Sequence, residues 1–203
     1  MASPPTEQAR RRILLVDDHP LMCHGLAELI GQQPDLVVCG EAGSAEQALD
    51  RVRSLRPELV LVDVTLPGKP GLELIKDLTT MFPEIAVLVF SMHEENLYAD
   101  RVLQAGARGY LMKSAGGEEL VKAIRHVLAG KVYLSQDLSA KILDNLSGTL
   151  RRPAGVLSVL SDREFEVFQP VGEGLPTCEI DLRLHISGKT VEAHRLRIRE
   201  KLV

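Results

Sequence analysis

Ile13-Leu14-Leu15-Val16-Asp17-Asp18 and Leu59-Val60-Leu61-Val62-Asp63 share one form: four consecutive apolar residues closed by carboxylates. A strand with one wet face alternates apolar and polar residues. An unbroken apolar run marks a strand buried on both faces, as in a parallel sheet covered by helices on each side. Leu36-Val37-Val38-Cys39, Ile85-Ala86-Val87-Leu88-Val89-Phe90 and the shorter Gly109-Tyr110-Leu111-Met112 repeat the pattern. Between these runs lie segments of helical period. Leu21, Leu26, Leu29 and Ile30 form one stripe, and Ala45, Ala48, Leu49 and Val52 another. Leu72, Leu74, Ile75 and Leu78 form a third; Leu97, Val102 and Leu103 a fourth; Leu120, Ile124, Val127 and Leu128 a fifth. Strands alternating with amphipathic helices predict a doubly wound α/β domain with a five-stranded parallel sheet over residues 10–130.

The remainder is organised differently. Residues 131–155 hold one short amphipathic stretch (Leu138, Ile142, Leu143, Leu146). They then run through Ser147-Gly148-Thr149-Leu150-Arg151-Arg152-Pro153-Ala154-Gly155, which has linker composition. In 156–203 helical signals return. Ser161 and Glu164 are spaced as a capping box, with Leu160 and Phe165 at the hydrophobic-staple positions. A second helix is predicted from Thr177 to about Leu184, and Ser187 can cap a third running through Lys189 to Leu202. Three helices with a short turn before the last make a small all-α helix-turn-helix domain.

Composition narrows the function classes. Apolar residues make up 45% of the 203 and charged residues 26%, which suits folded soluble domains. No apolar run approaches a membrane span, and MASPPTEQARRR has no apolar region that would make it a signal peptide. Cys23, Cys39 and Cys178 are scattered with no CxxC, which argues against a disulfide framework or zinc site and fits a reducing cytoplasm. The net charge of −4 means that any nucleic-acid affinity must be local.

In an open parallel sheet ligands bind beyond the carboxyl ends of the strands. Asp17 and Asp18 end the first strand, Asp63 the third and Ser91 the fourth, and Lys113 follows the fifth. Clustered carboxylates repel and call for a cation, and an all-oxygen set suits Mg²⁺. A carboxylate beside Mg²⁺ can attack a phosphoryl group, and a lysine can offset charge on the transferring oxygens. Read singly, Asp18 and Ser91 would serve as helix caps and Tyr110 as plain core packing. His19 and His93 read as loop residues, and Cys23 and Cys39 as small buried hydrophobes.

Taken together the motifs carry a resemblance. Asp17-Asp18-His19-Pro20, Asp63-Val64-Thr65-Leu66-Pro67-Gly68-Lys69-Pro70-Gly71-Leu72-Glu73-Leu74 and Ala105-Gly106-Ala107-Arg108-Gly109-Tyr110-Leu111-Met112-Lys113 resemble the receiver domains of bacterial two-component response regulators, NarL/FixJ/LuxR type. The likeness implies a flavodoxin-like receiver with Asp63 as phosphoacceptor and a sensor histidine kinase as phosphoryl donor. Asp17, Asp18, Asp63 and the Thr65 backbone carbonyl would hold Mg²⁺. Ser91 and Lys113 would sense the phosphoryl group, with Tyr110 as a rotating switch. Residues 156–203 resemble the LuxR-type helix-turn-helix through Gly174-Leu175-Pro176-Thr177, Leu184-His185-Ile186-Ser187 and Lys189-Thr190-Val191. That implies double-stranded DNA as a partner, transcription control without enzymatic turnover on small molecules, and a homodimer on activation. Lys189, Thr190, Glu192, Ala193, His194 and Arg197 are the candidate DNA contacts. The last helix carries five bases against two acids, although 156–203 as a whole holds seven against eight.

Three departures favour an alternative, a receiver with a degenerate output domain acting through protein–protein interaction. Pro170 stands inside the first output helix, which is expected to end near Gln169 or to fold only marginally. Asp181 replaces a small apolar residue and is expected to be a costly buried charge, with Arg183 or Arg195 as conceivable partners. After Leu202-Val203 there is no sequence for the family's usual fourth helix, which often mediates dimerisation.

Overall fold

The structure is a computed structural model that describes residues 10–136, 138–140 and 156–202. Most of the amphipathic stretch from Leu138 to Leu146, and the whole of 147–155, lie outside the described residues. The strands are β1 (Arg11–Val16), β2 (Leu36–Ala42), β3 (Leu59–Val62), β4 (Ala86–Ser91) and β5 (Gly109–Met112). Interleaved with them are α1 (Pro20–Gly31), α2 (Ala45–Leu55), α3 (Gly71–Met81), α4 (Glu95–Gln104) and α5 (Gly117–Leu128). All pairings are parallel and the order is β2-β1-β3-β4-β5. The order reverses between β1 and β3, which makes the gap beyond their carboxyl ends the natural ligand crevice.

The unbroken apolar runs bury both faces of the sheet. Leu14, Val16, Val60, Val62, Val87, Val89 and Tyr110 face the side covered by α2, α3 and α4. Ile13, Leu15, Leu59, Leu61, Leu88, Phe90 and Leu111 face α1 and α5. Successive residues point to opposite faces, so each run serves two cores. At the β5 edge, Tyr133 forms a parallel bridge to Gly109: Tyr110 N donates to Tyr133 O (3.0 Å) and Tyr133 N to Arg108 O (2.9 Å). A Cβ at Gly109 would lie 2.8 Å from the Tyr133 carbonyl oxygen, so glycine is required for that approach.

The C-terminal helices are α6 (Asp162–Gly172), α7 (Thr177–Leu184) and α8 (Gly188–Leu202). The Ser161–Glu164 capping box is formed, and Lys201 Nζ reaches Glu164 Oε2 (2.6 Å), tying the end of α8 to the start of α6. Leu160, Phe165, Val167, Ile180, Leu184, Val191 and Ile198 make the core of this module. That core is continuous with the α2–α4 side of the receiver.

Two sequence expectations need correction. First, α6 does not stop at Gln169 but runs to Gly172. Pro170 is its ninth residue, so only the Glu166 carbonyl loses an N–H. Glu173 N to Gln169 O, Gly174 N to Val171 O and Leu175 N to Pro170 O close the helix beyond it. The proline ring is buried in the module. Second, Asp181 is only half-buried, and neither arginine pairs with it. Arg183 binds Glu173 (3.2 Å), and Arg195 binds Glu192 and Thr177 (3.3 and 3.0 Å). The Asp181 carboxylate faces Gly188, the first residue of α8, where the helix dipole favours negative charge.

The two modules meet on the α3–α4 face of the receiver and at the adjoining carboxyl rim. Asp162 accepts from Arg101 Nη1 (3.1 Å) and Lys76 Nζ (2.5 Å), and Arg101 also donates to the Leu160 carbonyl (3.0 Å). The Arg101 guanidinium lies 4.3 Å from the Phe165 ring centre, and Tyr98 packs edge-on against Phe165 at 5.0 Å. Glu166 is buried beside this seam with one oxygen on Arg163 (2.8 Å) and the other, Oε1, without a hydrogen-bond partner. Burial pushes its carboxyl up to about 7 despite Arg163.

Two predictions follow from α6. Pro170→Ala restores a donor to the Glu166 carbonyl and should raise unfolding free energy by roughly 2 kcal/mol, read by urea denaturation. A lower stability would mean that ring packing outweighs the missing hydrogen bond. For Glu166, the folded state holds its proton between the ordinary carboxylate value and about pH 7, whereas the unfolded state does not. Stability from this group is therefore present at low pH, falls as pH rises through that window, and is flat above it. Glu166→Gln should remove that component of the decline in melting temperature between pH 5 and 7.5. An unchanged profile would exclude Glu166 as its source.

Candidate functional site at the carboxyl rim of the sheet

β1 and β3 are hydrogen-bonded in register, Val16 opposite Val62, so the residues that follow them are neighbours. Asp63 N donates to Val16 O (2.9 Å) and Asp17 N to Ala42 O (3.0 Å), which fixes both backbones at the crevice. The side chains of Asp17, Asp63 and Lys113 are nearly inaccessible, at 4%, 5% and 4% exposed. Lys113 Nζ sits between the two acids, 2.5 Å from Asp17 Oδ2 and 2.6 Å from Asp63 Oδ2. Burial alone would lower the lysine's pKa, but the carboxylates outweigh it and raise the value, so the ammonium is held charged.

Thr65 N donates to Asp63 Oδ1 (3.1 Å), which orders the loop after β3. In the same loop, Gly71 N bonds Val64 O (3.1 Å), and a Cβ at Gly71 would lie 2.5 Å from Val64. Ser91 is fully buried at the end of β4. Tyr110 is also fully buried, and its hydroxyl donates to the His93 carbonyl (2.9 Å). His93 stacks on Tyr98 (4.7 Å) and its Nε2 contacts Thr65 Oγ1 (2.9 Å). Asp17, Asp18, Asp63, Thr65, Ser91, Tyr110 and Lys113 thus gather at one rim.

Asp18 is half-buried and does not cap α1, whose N-cap is His19. Its Oδ1 is enclosed, with the His19 ring nitrogen beside it. The His19 ring Nδ1 lies 3.1 Å from Asp17 Oδ1 and 2.9 Å from Asp18 Oδ1, closer to the acids than a loop residue need be. Asp17, Asp18 and His19 could offer ligand atoms to one ion. The adjacent carboxylates of Asp17 and Asp18 supply oxygen donors of the kind that fit a hard divalent cation.

The output module also reaches this rim, through residues that sequence reasoning did not single out. Arg163 Nη2 donates to Gly68 O (2.8 Å), in the loop between β3 and α3. His185 Nε2 lies 3.5 Å from Asp18 Oδ2. His185 has a left-handed backbone (φ 51°) and its N–H closes α7 on Asp181 O, so the turn itself aims the ring.

On α8, Lys189, Glu192, Ala193 and Arg197 are exposed while Val191 and Ile198 are buried. Thr190 is half-buried and bonded to Ser187 (2.8 Å), and Glu192 is bonded to Thr177. His194 stands apart from the exposed set: it is half-buried, its Nδ1 is enclosed without a partner, and burial followed by Arg197 lowers its pKa. Among the described residues no helix is long and apolar enough to cross a membrane.

Comparison with known proteins agrees with this geometry. The family described as response regulator receiver domain matches residues 13–125, and that described as bacterial regulatory proteins, luxR family, matches 158–203. The chain is 38% identical over 191 residues to the response regulator GacA of Pseudomonas aeruginosa, covering 94% of this chain and 89% of that protein. It is 34% identical over 199 residues to the nitrate/nitrite response regulator protein NarL of Escherichia coli, covering 97% and 91%. A solved LuxR-family two-component response regulator from Aurantimonas sp. superposes with TM-score 0.63 at 36% identity, over 68% of this chain and 99% of that one. With both modules matched in order and relatives aligned along nearly its whole length, the chain belongs to the two-component response regulators that join a receiver domain to a LuxR-type helix-turn-helix.

Proposed function

We propose that this protein is a phosphorylation-gated regulator of transcription in which Asp63 takes the phosphoryl group from a sensor histidine kinase. The observation that carries the reading is the convergence of Asp17, Asp63 and Lys113 within hydrogen-bond distance at the switch point of the sheet. A carboxylate oxygen of Asp63 attacks phosphorus, the P–N bond of the donor phosphohistidine breaks, and its imidazole departs with the bond pair. Asp17, Asp18, Asp63 and the Thr65 carbonyl are the residues that would hold Mg²⁺. When bound, the ion neutralises charge on the transferring oxygens. Lys113 leaves its bridging position to pair with the phosphoryl group. Ser91 offers its hydroxyl, and Tyr110 follows because its hydroxyl is tied to the loop after β4.

The output reading rests on α8, whose exposed Lys189, Ala193 and Arg197 lie on one side with Thr190, Glu192 and His194 around them. Ala193 suits a thymine methyl, and Arg197 suits guanine or phosphate. Continuity of α6 through Pro170 and the formed Ser161–Glu164 capping box favour a folded DNA-binding domain over a degenerate one. We assign residues 10–130 to the receiver, 131–155 to the linker and 156–203 to the DNA-binding domain. The expected setting is the cytoplasm, with a homodimer on activation.

Asp63→Asn should abolish labelling by acetyl phosphate with Mg²⁺, whereas Lys113→Ala should keep some labelling and lose the downstream response. Full labelling of the Asn variant would refute the site. Selection from a random duplex pool should enrich one motif only with beryllofluoride and Mg²⁺. No enrichment from protein shown to carry the mimic would favour an output domain that acts on a protein partner.

A further inference from the structure

Groups from two modules contact the acid pocket. Lys113 serves Asp17 and Asp63, and His19 serves Asp17 and Asp18. The remaining contact, His185 Nε2 on Asp18 Oδ2, comes from the turn between α7 and α8 of the output module. While the modules stay docked, the backbone of His185 is held beside the pocket. It is placed by the left-handed cap of α7, and α6 is clamped through Asp162 to Lys76 and Arg101 and through Arg163 to Gly68. Mg²⁺ dehydrates reluctantly and keeps several waters when carboxylates bind it, so it needs room over the acid pair as well as its oxygens. The His185 imidazole contacts one of those oxygens, Asp18 Oδ2, from the output side. In the same arrangement Lys189, Ala193 and Arg197 of α8 remain exposed, so docking bears on the pocket and leaves this face of the helix uncovered.

We propose that docking of the output module and metal occupancy of the acidic pocket compete, and that His185 is the residue that couples them. Linkage makes the effect reciprocal: the docked population weakens apparent Mg²⁺ affinity, and Mg²⁺ draws the output module off the receiver by the same factor. The metal thereby primes the switch before any phosphoryl group arrives. The inference rests on the reading of Asp17, Asp18 and Asp63 as the Mg²⁺ site.

The test titrates the full chain with Mg²⁺, following amide shifts of the Asp17 and Asp63 loops by ¹⁵N NMR and the radius of gyration by small-angle X-ray scattering. His185→Gly removes the imidazole and keeps the left-handed cap. Arg101→Glu opposes Asp162 and breaks the clamp far from the metal ligands. Both variants should bind Mg²⁺ about threefold tighter or more, and Mg²⁺ should expand the wild type. Unchanged affinity in both variants would overturn the coupling. So would tightening in His185→Gly alone, because a purely local charge effect needs no docking. Loss of all Asp17-dependent Mg²⁺ binding from the wild type, checked against Asp17→Asn, would instead bring down the metal-site reading and the inference with it.

Discussion

The ammonium of Lys113 between the carboxylates of Asp17 and Asp63 is the interaction on which the rest of the molecule turns. Two carboxylates buried this deeply repel each other and resist desolvation, and a buried charge without a partner costs several kcal/mol. The order β2-β1-β3-β4-β5 brings the acids together, and the loop after β5 brings the lysine. Whatever enters the pocket must offer the acids as much positive charge as the lysine does, or must take the lysine for itself. The same constraint explains why Ser91 and Tyr110, which carry no charge, sit fully buried at the margin of the pocket.

The sheet and its rim were legible in the sequence because both depend on short-range rules. An apolar run such as Leu59–Val62 can only be a strand covered on both sides, and the residue that ends it must lie at the crevice. The helix-turn-helix was legible for a similar reason: Ser161, Ser187 and the spacing of Val191 and Ile198 are local signals. The seam between the modules was not legible. Arg101 meets Asp162 across 61 residues, and Arg163 meets Gly68 across 95. Each is an ordinary surface residue until the chain is folded. Pro170 misled for a physical reason. Its propensity cost is real, but near the end of a helix it removes a single hydrogen bond, and packing decides the outcome. For Asp181 the composition of the site was visible and its geometry was not: the dipole of α8 is set by where the turn places Gly188.

The output module presents two faces with different duties. One face, built from the start of α6 and the end of α7, carries Asp162, Arg163, Phe165 and His185 to the receiver. The other, along α8, is left free and carries an excess of basic residues. Because His185 and Arg163 of the first face reach the acidic rim, the acid cluster and one edge of the module lie within a few ångströms of each other. No long relay through the core is needed to connect them.

Tyr133 has a consequence for assembly. By bridging to Gly109, Tyr133 occupies two hydrogen-bonding positions on the outer side of β5, at its amino end. A neighbouring molecule cannot extend the sheet there without first displacing that residue. Sheet extension by a second molecule is thereby hindered at the amino end of β5, which favours helical surfaces over a backbone ladder for any association on this flank.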